Sequence, residues 1–128
     1  MSTLVAQTIS NGTVSTSSAN VIQGSAKAWV NFDGVSGASA RASYNISSLT
    51  RSSAGIYVIN FTNALSDANY CINMSTSVGA TAAGGYTTMV NSSNTTIVTP
   101  TTTSCTVSIN LVGVGPQDSS YVMVSIFR

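Results

Sequence analysis

Residues 26–34, Ala-Lys-Ala-Trp-Val-Asn-Phe-Asp-Gly, alternate in character along the chain. Ala28, Val30 and Phe32 fall on one side of an extended backbone, and Lys27, Trp29 and Asn31 on the other. A side-chain period of 2 is the period of a strand, and Asp-Gly at its end is a turn signal. The same grammar recurs in 42–51, 55–62 and 67–72, short runs rich in β-branched and aromatic residues, each bounded by Ser, Gly, Asn or Asp. No run of helical periodicity lasts three turns. The expected fold is therefore all-β: an antiparallel β-sandwich, jelly-roll-like, of about eight strands. It occupies 26–128 and follows an extended N-terminal arm, 1–25.

After the opening strand, strands are expected near 41–47, 55–62, 69–76, 86–90, 94–99, 104–112 and 120–127. Gly34–Ser39 reads as a flexible loop, and Val78–Gly85 as a loop of small residues. Asn91-Ser92-Ser93 reads as a hairpin turn, and Pro100 closes the run before it because proline cannot donate to a ladder. In 104–112, Cys105, Val107, Ile109 and Leu111 should point inward and Thr106, Ser108 and Asn110 outward. The run 120–127 is apolar on both faces: Val122, Val124 and Ile126 oppose Tyr121, Met123 and Phe127. An antiparallel sheet wetted on one side has no need of this. Trp29 raises the same question, since it points away from Val30 and Phe32. Trp29, Tyr121, Met123 and Phe127 are thus candidates for a subunit interface.

Charge narrows the function. The chain has three Asp, no Glu, no His, and only Lys27, Arg41, Arg51 and Arg128 as cations. Four scattered basic residues make no electrostatic footprint for nucleic acid. No apolar run approaches the roughly 18 residues of a membrane span, and no basic amphipathic helix is visible, so no membrane insertion is expected. General acid–base chemistry would rest on Asp33, Asp67 or Asp118, each at a turn, where Asp commonly stabilises the backbone. No spacing pairs them for glycoside hydrolysis or calcium, and no Cys/His cluster could hold zinc, so no catalytic residue, metal or cofactor is expected. Cys71 and Cys105 are expected as two buried free thiols. The Asn-x-Ser/Thr triplets at Asn11, Asn45, Asn60, Asn73, Asn91 and Asn94 follow from abundant Ser and Thr. Residues 1–25 show no basic n-region or apolar h-region of a signal peptide, which points to folding in a cytoplasm.

Residues 10–20 are low-complexity and polar, too poor in apolar surface to hold a fold alone. They read either as a frayed tail or as an arm docked on a neighbour, with Leu4, Val5 and Ile9 as its anchors. Among the tyrosines, Tyr57, Tyr70, Tyr86 and Tyr121 suggest a carbohydrate platform, because rings stack on sugar faces. Tyr86, beside Gly84-Gly85, is the candidate glycan contact.

The ordered runs GSAKAWVNFDG, SYNISSLTR and GIYVINFTNALSDANY resemble a β-rich module of bacteriophage virion proteins, of the tail-fibre or receptor-binding type met in marine phages and cyanophages. The likeness runs from about Ser2 to about Tyr70 and is looser beyond. It implies a non-enzymatic virion structural protein, made in the host cytoplasm. Both a tail-fibre-like role and a capsid decoration role stay open. The implied partners are further copies of the chain, as a homotrimer, and other capsid or tail proteins. Binding of a host surface glycan by a lectin-like module is the alternative.

Overall fold

A computed structural model describes residues 2–77, 85–93 and 95–128. The N-terminal segment carries local structure of its own. Strands β1 (Thr8–Ser10) and β2 (Ser15–Ser17) form a hairpin. Its turn is held by Asn11, whose Oδ1 accepts from the Thr13 and Val14 amides at 3.1 and 2.8 Å. Helix α1 (Ser18–Gly24) follows, with the Ser17 hydroxyl accepting from the Asn20 amide as its N-cap. The arm is thus folded locally where the sequence suggested an extended chain, yet no residue from 2 to 24 is buried.

From residue 26 the chain builds β3 (Ala26–Asp33), β4 (Ser39–Tyr44), β5 (Ile46–Ser53), β6 (Ile56–Phe61), β7 (Cys71–Thr76) and β8 (Tyr86–Val90). The short β9 (Ser92–Ser93) and β10 (Thr96–Ile97) come next, then β11 (Ser104–Leu111), β12 (Gly115–Pro116) and β13 (Val122–Phe127). One antiparallel sheet has the order β4-β3-β13-β7. The other runs β12-β11-β6-β5, with β8 paired to β11 as well. The two pack as a sandwich. Ala28, Val30, Phe32, Val122, Val124 and Ile126 come from the first, and Tyr57, Ile59, Phe61, Cys105, Val107 and Ile109 from the second. Phe32 meets Tyr57 edge-on, with ring centroids 5.0 Å apart. The all-β sandwich expected from alternation is the observed fold.

Three local expectations need correction. The run 42–51 is two strands, broken at Asn45, which sits at φ 57°. Asn tolerates this left-handed conformation better than most residues. Its side chain explains the position: Nδ2 donates to the Lys27 and Asn63 carbonyls, and Oδ1 accepts from the Asn63 amide at 2.8 Å. The chain leaves one sheet at β4 and enters the other at β5 across this clamp. The expected strand at 94–99 is reduced to β10, and the hairpin reverses beyond Ser93 instead of at 91–93. Lastly, Thr106, Ser108 and Asn110 are buried, although they lie on the outer face. Ser108 is opposite Ile56 on one side and Met89 on the other, so larger neighbours in the same row shield it from water.

One end of the sandwich is closed by Asp118. Its carboxylate takes a bidentate contact from Arg51, the Gly55 amide at 2.8 Å and the Tyr57 hydroxyl at 2.7 Å. Beside it, the Gly34 amide donates to the Ser119 carbonyl at 2.9 Å. A Cβ on Gly34 would overlap the Tyr57 hydroxyl and stand 2.8 Å from the Ser119 oxygen. Gly34→Ala should therefore destabilise the domain by roughly 1–3 kcal/mol, the usual range for overpacking. Urea unfolding followed by Trp29 fluorescence reads this directly; an unchanged midpoint would show that the end relaxes freely.

Candidate functional site: the outer face of the four-stranded sheet

Each aspartate holds an arginine: Asp33 with Arg41 at 3.2 Å, Asp118 with Arg51 at 2.7 Å, and Asp67 with Arg128. Burial pushes the Asp118 carboxyl up, but Arg51, the Gly55 amide and the Tyr57 hydroxyl outweigh it and hold it below its ordinary value. Asp67 is also lowered, chiefly by its hydrogen bond from Arg128. Burial, reinforced by the Asp118 charge, raises the Tyr57 hydroxyl, so it stays a donor. Lys27 donates to the Ile22 carbonyl and to the Ser25 hydroxyl at the end of α1. Among the described residues no group of three or more His, Cys, Asp or Glu could hold a metal.

What remains exposed and chemically distinctive lies on the outer face of the β4-β3-β13-β7 sheet. Cross-strand partners share a face, so register defines its rows. Trp29 lies between Tyr44 on β4 and Ser125 on β13, and Ser125 is opposite Asn73 on β7. One rung along, Asn31 is opposite Met123, and Met123 is opposite Ser75. Tyr44 aside, these two rungs line a trough of about 370 Å³. Trp29 is 40% exposed, Tyr44 57% and Met123 38%.

The candidate interface residues are therefore on one face, but not in one cluster. Trp29 and Met123 line the trough. Tyr121 precedes β13 and lies under the Arg41 guanidinium, 4.2 Å from its ring centroid. Phe127 ends β13 opposite Cys71 and is half-buried. Tyr44 was not singled out by the sequence; its signal was its place beside Trp29, which only the β3–β4 register reveals. Tyr86, the candidate glycan contact, is half-buried and packs against the core opposite Leu111. The adjoining Gly84 lies outside the described residues. Tyr57 and Tyr70 are core residues; Tyr70 donates to the Thr101 and Ser104 carbonyls. The arm anchors Leu4, Val5 and Ile9 are all exposed. No family model, no curated protein and no solved structure matches this chain.

The two thiols part company. Cys105 is buried, and burial pushes its thiol up to about 12. Cys71 is exposed, contrary to expectation, because its position in β7 places it on the outer face. A thiol-reactive probe at neutral pH should modify Cys71 promptly and Cys105 only after denaturation. Equal rates would refute this assignment.

The carboxylates set an acid limit. Asp67 and Asp118 have folded values below the ordinary 3.8, so the unfolded chain takes up protons first as pH falls. Their stabilisation is complete above that ordinary value and is lost below it, as pH approaches the lowered ones. The urea midpoint should stay level from about pH 7 to 5 and drop below about pH 4. Asp118→Asn should flatten that drop; a midpoint as high at pH 3 as at pH 7 would contradict it.

Proposed function

We propose that this chain is a non-enzymatic structural protein exposed on a bacteriophage particle, tail-fibre-like or a capsid decoration protein. It is present as a homo-oligomer and held to other virion proteins by its N-terminal segment. The sequence resemblance of residues from about Ser2 to about Tyr70 supports the virion assignment. The observation that carries the mode of attachment is the exposure of that segment. Leu4, Val5, Ile9, Val14, Val21 and Ile22 are all exposed, while the sandwich core is built from residue 28 onward. Aliphatic groups gathered on one segment and left open to water mark a surface that associates. Residues 2–26 carry no charged side chain, so docking them requires no desolvation of an ion. The engagement of all three carboxylates by arginines supports the non-enzymatic reading. Among the described residues no helix is long and apolar enough to cross a membrane.

A closed symmetric assembly, a trimer, fits the role, because closure covers apolar surface without making open filaments. A second reading, recognition of a host glycan, is favoured by the Trp29 and Tyr44 rings standing exposed beside amides and hydroxyls.

Deleting residues 2–17 should leave the unfolding free energy from urea titration within about 0.5 kcal/mol of the full chain, since no residue of the segment is buried. The same deletion should abolish attachment to particles in a co-sedimentation assay. Mass photometry of the full chain should show an oligomer. Attachment at normal occupancy by the truncated protein would overturn the anchoring role.

A further inference from the structure

We propose that the trough on the outer face of the β4-β3-β13-β7 sheet is a binding site for a neutral saccharide, with one sugar ring stacked on Trp29. The geometry is a grid. Trp29, Ser125 and Asn73 form one rung across β3, β13 and β7, and Asn31, Met123 and Ser75 form the next on the same face. Rungs two residues apart lie about 7 Å from each other, and three strands span about 10 Å, a footprint of one to two sugar rings. The volume of about 370 Å³ lies in the range of small-molecule sites, roughly 300–1,000 Å³. The floor is strand backbone over a packed core, so the lining is held rigidly.

The chemistry selects the ligand class. Besides valines, the lining contains an indole, two thioethers, two amides and two hydroxyls, and no ionisable side chain. A charged ligand would find no counter-charge there. A lipid tail would strand the amides and hydroxyls. A sugar ring offers an apolar C–H face to an aromatic ring and hydroxyls that both donate and accept, which is what this grid can use. The polar groups are also uncommitted. The side chains of Asn31, Asn73, Ser75 and Ser125 make no hydrogen bond with any described residue, and Asn31 Oδ1 is buried without a partner. Asn45 and Asn60, by contrast, are committed: Asn45 donates to the Lys27 and Asn63 carbonyls, and Asn60 donates to Ser48 at 2.9 Å. A second copy packed on the trough would bury four unpaired polar side chains, an unfavourable exchange. The inference deepens the host-glycan reading and rests on this face remaining open in the assembled protein; it does not depend on the N-terminal attachment.

Trp29 is the only tryptophan, so its fluorescence reports on the site itself. Full-length protein is probed on an array of neutral and acidic glycans, and array-positive neutral oligosaccharides are then titrated in solution. The expected result is saturable binding of neutral probes with a shift in Trp29 emission. Asn73→Ala and Ser75→Ala, at exposed strand positions, should weaken binding several-fold, and Trp29→Ala by about tenfold or more. Ile97→Ser, remote and exposed, should leave binding unchanged. Three outcomes overturn the proposal: no array signal, signal from acidic probes alone, or retention of affinity in Asn73→Ala and Ser75→Ala together. A full-chain oligomer that falls apart on Trp29→Ala would also overturn it, by placing a second copy in the trough. Loss of particle attachment on deleting 2–17 with saccharide binding intact would separate this site from the anchoring role.

Discussion

The Asp118 carboxylate is the point on which the architecture turns. It receives Arg51 from β5, the Gly55 amide from the β5–β6 turn and the hydroxyl of the fully buried Tyr57. Asp118 itself lies in the segment leading into β13, which belongs to the other sheet. One side chain thus pins the end of one sheet to the entry strand of the other. The Tyr57 ring beneath it packs edge-on against Phe32 of β3, so the polar contact and the aromatic core are continuous. A charge accepting four donors in a partly buried place is far stronger than an exposed ion pair, because removing it strands a buried hydroxyl and an amide together.

Elsewhere the chain achieves cohesion with few charges. Its connections are held by amides and hydroxyls bonded to backbone. Asn45 joins the β4–β5 crossing to the loop after β6. Thr101 Oγ1 accepts from the Thr103 and Ser104 amides. Ser119, wholly buried, donates to the Ser77 carbonyl at 2.9 Å. Such local bonds satisfy turns without ordering long charged side chains, which suits short connections between packed strands. The composition that made the sequence look featureless is the material of its loops.

Much of this was legible in the sequence because period 2 leaves a strong imprint wherever one face is buried. The inward faces of β3, β11 and β13 follow directly from Val30 and Phe32, Val107 and Ile109, and Val122 and Val124. What escaped was everything that depends on pairing register. The break at Asn45 is invisible to alternation, since the period reads the same on both sides of one left-handed residue. Burial of Ser108 depends on Ile56 and Met89 arriving opposite it from 52 residues earlier and 19 residues earlier in the chain, separations no local window spans. The juxtaposition of Trp29, Tyr44, Ser125 and Asn73 likewise exists only once four strands from distant parts of the chain are aligned. The exposure of Cys71 was hidden for the same reason: β7 has a partner in β13 on one side only within its sheet.

The two outer faces differ in how their rows are built. On the β5-β6-β11-β8 side, small Thr106 and Ser108 sit in the central strand, flanked by Ile56, Val58 and Met89. The small residues sink out of reach, and Ser108 is fully buried. On the β4-β3-β13-β7 side the order is reversed in part. Large rings stand on β3 and β4, while Ser125, Ser75 and Asn73 lie on β13 and β7. A tall flank beside short polar neighbours makes a step, and the step is the trough. A step of this kind sets a partly exposed indole beside amides and hydroxyls, and the proposed saccharide site rests on that arrangement. The three ion pairs stand apart from it, since none of their residues lines the trough.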